Sequence, residues 1–236
     1  MPIYALSDEP VFPPADHAEE EGLLAVGGDL SAPRLLAAYR AGIFPWPHRG
    51  MPLLWFSPDP RMVLYPGQIK LARSLKQIVR RGDFEVRLDT EFAQVISGCA
   101  TTRRKGQRGT WISKPMIRAY TQLHELGAAH SAEAWQQGKL VGGLYGVSLG
   151  GVFFGESMFA LVPDASKVAF ATLVAQLAAW GFGLIDCQTH TAHLERFGAG
   201  LIPRSRFLTE LAKLVEQPGH QHPWQLEVTP AQVCST

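Results

Sequence analysis

Cysteine is scarce. Cys99, Cys187 and Cys234 are the only three in 236 residues, and no Cys-x-x-Cys occurs. An odd set of that kind excludes a disulfide framework and a zinc ribbon, and it fits a reducing cytoplasm. No run of about 20 apolar residues is present, so nothing reads as a membrane span. The first ten residues lack the basic start and apolar run of a secretory signal, and none is expected. No excess of one charge exists either: 22 Lys and Arg stand against 21 Asp and Glu, a formal net charge of +1. A nucleic-acid partner would therefore have to be met by a local basic patch and not by a global field. The Walker loop and the Gly-x-Gly-x-x-Gly turn are missing, which argues against an ordinary nucleotide fold. Without a Gly-x-Ser-x-Gly, Ser157 has no nucleophile elbow. His190/His193 and His220/His222 are spaced like ligand pairs, but no third ligand follows at a familiar spacing, and no metal is expected.

What is present is a globular composition, 46% hydrophobic and 18% charged. The length suits one large domain, or a domain with a smaller one. Gly22 to Leu30 reads as a short strand closed by a turn. Ser31 and Pro33 then open a helix carrying Leu35, Leu36 and Tyr39, and Gly42 stops it. Residues 43–61 are dense in Pro and aromatics and follow neither helical nor strand period. They read as a rigid loop anchored by Trp46, Trp55 and Phe56. The composition shift near Arg61 suggests a small N-terminal domain over 1–61 and a main domain over 62–236.

Periodicity predicts a helix over 70–81, with Leu71, Leu75, Ile78 and Val79 on one side and Arg73, Lys76 and Arg80 roughly opposite. That stripe is either a solvated face or a phosphate-binding surface. A strand over 84–88 and a helix with Phe92, Val95 and Ile96 follow, capped by Asp89 or Thr90. Arg103 to Arg108 is a basic, glycine-broken loop. Ser113 and Pro115 start another helix, ended by Gly127. From Ala128 the pattern becomes an antiparallel meander. Gly142, Gly143 and Gly146 thin its middle strand, as happens where a ligand or a backbone comes close. An apolar helix over 165–180, a strand over 184–188, a helix ending near Phe197 and another over 203–215 complete an α+β fold. The tail from Gln217 shows no periodicity.

Two strands, a helix and a third strand bring Glu156, Asp186 and Gln188 near one another. Polar groups inside apolar strands cost roughly 1–3 kcal/mol each when unpaired, so they mark either a satisfied buried network or a site. Alternation places Leu184, Asp186 and Gln188 on one face, Ile185 and Cys187 on the other. Phe153, Met158 and Ile185 are read from pattern alone as core.

Nine blocks then match a known family in order. They are Gly22–Leu30, Gly42–Trp46, Trp55–Arg61, Thr110–Ile112, Leu140–Gly146, Phe154–Phe159, Ala165–Lys167, Leu184–Gln188 and Ile202–Arg204. Over residues 22 to about 210 the chain resembles the bacterial leucyl/phenylalanyl-tRNA–protein transferases. The resemblance implies a small N-terminal domain joined to an acetyltransferase-like (GNAT-like) domain that does not bind coenzyme A, with a mainly antiparallel sheet flanked by helices. It implies transfer of Leu or Phe, and less often Met, from aminoacyl-tRNA to proteins beginning with Arg or Lys, marking them for the bacterial N-degron pathway.

By matching positions, the aminoacyl side chain is expected among Leu144, Phe153, Met158, Leu173, Leu177 and Ile185. Trp46, Trp111 and Tyr120 would lie near the terminal adenosine. Arg73, Lys76, Arg80 and Arg81 would hold the tRNA acceptor arm. Glu156, Asp186 and Gln188 would form the catalytic centre. A neutral amide is a very poor base, so Gln188 reads as an orienting partner, with Asp186 or the tRNA ribose hydroxyl moving the proton and Glu156 fixing Gln188. A cytoplasmic monomer without cofactor is expected. Two other functions are weighed: an acetyl-CoA N-acyltransferase on a related sheet, and a non-catalytic module binding tRNA or N-degrons.

Overall fold

The computed structural model describes residues 3–48, 50–102 and 111–235. The basic loop at 103–108 and Thr110 lie outside the described residues. A first, four-stranded sheet is built from β1 (Tyr4–Leu6), β2 (Leu23–Gly27), β3 (Phe44–Pro45) and β4 (Leu54–Phe56), in the order β1-β2-β4-β3. Its β1/β2 pair is parallel and the rest antiparallel. Helix α1 (Ala32–Arg40) connects β2 to β3. Gly42, at φ 74°, ends it; a Cβ there would meet Leu208 at 2.6 Å. The stretch expected as a loop thus contains two short strands. Their two- and three-residue lengths, and Pro45 on the edge strand, leave no period to read.

The second sheet has seven strands, in the order β11-β5-β10-β9-β8-β7-β6. These are β5 (Arg61–Leu64), β6 (Glu85–Leu88), β7 (Ala129–Gln136), β8 (Lys139–Leu149), β9 (Val152–Ala160), β10 (Leu184–Gln188) and β11 (Gly200–Ile202). Around it lie α2 (Arg73–Arg81), α3 (Phe92–Thr101), α4 (Lys114–Glu125), α5 (Ala165–Ala179), α6 (Ala192–Glu195), α7 (Arg204–Leu214) and α8 (Pro230–Ser235). The expected α+β class, with an antiparallel-dominated sheet flanked by helices, is what is seen. The strands β7, β8 and β9 are the meander. Gln137 and Gly138, at φ 51° and 72°, turn the first hairpin.

Several local expectations change. Neither Asp89 nor Thr90 caps α3. Glu133, fully buried on β7, accepts the N–H groups of Thr90 and Glu91 at 2.9 Å each. The helix expected up to Phe197 is only the one turn of α6. The aperiodic tail carries a buried Trp224 and ends in α8, whose six residues are too few to show a period. The glycines of β8 serve backbone packing. A Cβ on Gly142 would sit 2.6 Å from Ala165 at the start of α5, and one on Gly146 2.2 Å from the Phe154 carbonyl.

The sheet is covered on both sides. One core holds α1, α3, α4 and α7 and is continuous with the first sheet; Tyr39 of α1 packs 5.0 Å from Phe154 of β9. The other holds α2, α5 and α8. Helix α5 is buried on nearly every side and links β9 to β10 as the single parallel pair of this sheet among the described residues. That pair is registered only over Val152–Phe154 and Leu184–Asp186. Beyond it the two strands part, and the carboxyl ends of a parallel pair are where α/β sheets place ligands.

Gly146→Ala tests this packing. The new methyl meets a neighbouring strand's backbone, which cannot rotate away, so a loss of at least about 2 kcal/mol in urea unfolding is expected. A neutral substitution would mean that β8 and β9 are less tightly apposed.

Candidate active site

Where β9 and β10 part, a cavity of about 540 Å³ opens. Leu144 of β8, Gly155 to Ala160 of β9, Ile185, Cys187 and Gln188 of β10, Phe170 of α5, and Trp46 and Trp111 line it. The wall is mostly apolar and two indoles stand in it. The polar exceptions include Glu156, Gln188, Thr189, Thr191 and His193.

Glu156 is the hub. One carboxylate oxygen accepts Tyr39 Oη–H at 2.7 Å and Gln188 Nε2–H at 2.7 Å; the other accepts Tyr120 Oη–H at 3.2 Å. Tyr39 and Tyr120 are also hydrogen-bonded to each other. With Nε2 committed to a carboxylate, the Gln188 carbonyl is left as an acceptor; a flipped amide would set two oxygens against each other. Burial lifts the Glu156 carboxyl to about 7, against the three hydrogen bonds that favour its charged form. Burial likewise pushes the Tyr39 and Tyr120 hydroxyls well above their ordinary range, so both stay protonated, and in the bond between them one hydroxyl accepts.

Asp186 is held differently. Both of its oxygens are engaged by Arg61 of β5, at 2.8 Å from Nε and 2.6 Å from Nη2, and both side chains are essentially unexposed. The guanidinium lies over Phe44 at 4.8 Å and Phe207 at 4.5 Å, a cation between two rings. Asp186 Oδ1 also accepts the backbone N–H of Gln188 at 2.9 Å. Gln188 itself is left-handed, φ 63°, at a register shift between β10 and β5. Simple alternation, which put Gln188 on the Asp186 face, fails at this bulge. Gln188 lines the cavity with Ile185 and Cys187, and Asp186 does not.

The expected pocket divides. Leu144, Met158 and Ile185 line the cavity; Phe153, Leu173 and Leu177 do not, and lie buried in the adjoining core. Trp46 and Trp111 line it, whereas Tyr120 is fully buried and serves Glu156. Along α2, Arg73, Arg80 and Arg81 are exposed; Arg81 pairs with Asp83, and Lys76 Nζ donates to the Cys234 carbonyl of α8 at 2.7 Å. Two residues gained no site role from sequence. Tyr39 has ordinary helical-core spacing. Arg61 closes the Trp55–Arg61 block, but its partner is 125 positions away.

An apolar chamber between parting strands, ending on a buried carboxylate–amide pair, is suited to holding an apolar moiety beside two polar groups. Comparison makes this specific. The leucyl/phenylalanyl-tRNA protein transferase family profile matches residues 63–212, and the profile of its N-terminal domain matches residues 28–59. The transferase of that name from Myxococcus xanthus is 57% identical over 95% of this chain and 97% of its own. Those from Anaeromyxobacter dehalogenans and Syntrophotalea carbinolica are 55% and 61% identical, covering 96% and 88% of this chain and 97% and 90% of theirs. The chain belongs to the leucyl/phenylalanyl-tRNA protein transferase family. Among solved structures, L-PGS from Bacillus licheniformis matches 71% of this chain and 53% of its own at 10% identity and a TM-score of 0.40, too loosely to bear on the site.

Two outcomes follow. Arg61→Ala strands a buried carboxylate and should cost about 3–5 kcal/mol, whereas Arg61→Met with Asp186→Leu should recover most of that stability but not activity. Equal stability of Arg61→Ala and the parent would contradict the pairing. Glu156 favours the folded state below its ordinary 4.5, and this contribution is lost as pH rises to about 7. Urea unfolding should therefore show the parent losing roughly 3 kcal/mol relative to Glu156→Gln between those limits. Parallel curves would contradict a raised Glu156.

Proposed function

We propose that the chain transfers leucine or phenylalanine, and less often methionine, from aminoacyl-tRNA to the N-terminal Arg or Lys of acceptor proteins. Family membership supports the reaction. The observation that carries the mechanism is the 2.7 Å hydrogen bond from Gln188 to Glu156 on the wall of an apolar cavity. The aminoacyl side chain enters beside Leu144, Met158 and Ile185. An adaptable thioether accepts Leu, Phe and Met, and charged side chains are rejected by desolvation. A wall of this kind separates apolar side chains one methylene apart by only about 1–3 kcal/mol. Trp46 and Trp111 offer flat faces for the terminal adenosine.

The donor is already an activated ester. The acceptor's α-amine attacks its carbonyl carbon, the peptide bond forms, and the ribose hydroxyl leaves. Holding the amine against the ester supplies much of the acceleration. The free Gln188 carbonyl accepts an N–H from the amine and aims its lone pair. Glu156, ionised above about pH 7, receives the proton that the amine sheds and returns it to the departing ribose oxygen, which leaves as the hydroxyl. Asp186 and the ribose hydroxyl are the two proton movers expected from sequence; the commitment of Asp186 to Arg61 favours a positioning role for it instead, fixing the bulge that presents Gln188.

Arg73 and Arg80, exposed on α2, support the expected acceptor-arm contact, with Arg81 and Lys76 partly engaged within the protein. The change of sheet between Phe56 and Arg61 supports dividing the chain into residues 1–61 and an acetyltransferase-like catalytic domain over 62–236. No described helix is long and apolar enough to cross a membrane. The reading is of a monomer acting in the cytoplasm, delivering its products to the N-degron pathway.

Incubation with Phe-tRNA and a peptide beginning with Arg should give the Phe-Arg peptide by mass spectrometry. No product beside a working control enzyme would overturn the reading, and a melting shift with acetyl-CoA would redirect it. Reversing Arg73 and Arg80 to Glu should weaken tRNA binding at least about tenfold and flatten its salt dependence by roughly two counterions. An unchanged salt slope would make that stripe a solvated face.

A further inference from the structure

Outside the cavity, three histidines gather round one aspartate where the C-terminal segment crosses the sheet. Asp89 follows β6, His130 is on β7, and His222 lies in the irregular stretch before α8. One ligand atom from each falls within 4.8 Å of the other two. His130 Nδ1 is 2.7 Å, and His222 Nδ1 3.5 Å, from the same Asp89 Oδ2. His124 Nδ1 is 4.0 Å from the other oxygen, but it is bound to the Ala129 carbonyl at 2.8 Å and is not counted as a ligand.

The surroundings fix these groups. Asp89 is left-handed, φ 55°, and its carboxylate accepts the backbone N–H of Ser131 at 2.9 Å and of Trp224 at 2.8 Å. The His130 ring lies flat on the Trp224 indole, 3.6 Å away and 2° from parallel. The His222 ring stands edge-on to His124 at 4.9 Å. A buried aspartate needs one cationic partner; three imidazoles around it form a donor set.

We propose that Asp89, His130 and His222 bind one divalent transition-metal ion of the zinc type, which pins the segment carrying His222 and Trp224 to the sheet. Two imidazole nitrogens and a carboxylate oxygen suit zinc, cobalt or nickel, and not magnesium or calcium. Donors around a tetrahedral zinc stand roughly 3.3 Å apart, given its bond lengths. The His222–Asp89 spacing meets that. The His130–Asp89 contact opens by roughly half an ångström as the ion enters between Nδ1 and Oδ2, the ring proton moving to Nε2 so that the imidazole stays neutral. The Ser131 N–H orients the carboxylate from outside. With a side-chain exposure of 29%, His222 leaves room for entry and for water as fourth ligand. None of the three residues lines the cavity, so transfer does not depend on the ion. The chain pattern hid the set: His222 is spaced with His220, but the fold stacks His220 on Trp180 at 4.2 Å.

The test titrates chelator-treated full-length protein with Zn²⁺, Co²⁺ and Mg²⁺. One equivalent of Zn²⁺ should bind, and at about a hundredfold excess over Kd it should raise Tm by about 5 °C or more. Co²⁺ should give visible d–d absorption saturating at one equivalent, and Mg²⁺ no shift. His222→Ala and Asp89→Asn, checked for folding by circular dichroism, should bind about 100-fold more weakly; His220→Ala should bind as the parent does. Lack of stoichiometric uptake, or parent-like binding by folded His222→Ala, would overturn the proposal. Loss of binding only on changing His190 and His193 would overturn it equally.

Discussion

One buried ion pair organises the site. Arg61 and Asp186 join β5 to β10 inside the protein, where each charge alone would be prohibitive. The guanidinium is sandwiched by Phe44 from the first sheet and Phe207 from α7, so three parts of the chain meet on one cation. Asp186 in turn holds the backbone N–H of Gln188 and with it a left-handed residue that would not persist unaided. The bulge at Gln188 turns its amide to the cavity and onto Glu156. A charge that does not line the cavity thereby sets the geometry of groups that do.

The second constraint is the parting of β9 and β10. Parallel pairing stops after Phe154 and Asp186, and the next residues of each strand face a shared cavity. Glu156 is the first carboxylate past that fork. The two tyrosines supporting it come from different helices, α1 and α4, so the N-terminal part of the chain contributes directly to the polar wall of the cavity. Burial and three hydrogen bonds oppose each other on this carboxylate, and their balance falls near neutral pH, as the proposed proton uptake requires.

Much of this was legible in the sequence because it is local. The meander declares itself by alternation and by the Gln137-Gly138 turn, α5 by its unbroken apolar run, and the triad of Glu156, Asp186 and Gln188 by polarity inside apolar strands. What was not legible depends on distant partners or on broken periods. Nothing near Arg61 indicates that its counter-ion lies on β10. Period-two reasoning misplaces Gln188 because one left-handed residue cancels it. Leu173 and Leu177 are as apolar as Leu144, and only the path of the strands decides which of them faces open space. Helix α8 and the short β3 and β4 are too brief for any period, and His222 was matched to its sequence neighbour while its real companions lie on β7 and beside β6.

The most direct measurement is a crystal structure of the chain bound to a non-hydrolysable aminoacyl-adenosine analogue carrying phenylalanine. The phenyl ring is expected among Leu144, Met158 and Ile185, with Gln188 still bonded to Glu156, its carbonyl facing the reacting carbon, and Asp186 still clasped by Arg61. Asp186 released from Arg61 and touching the analogue, or the phenyl ring lodged away from these three side chains, would contradict that arrangement.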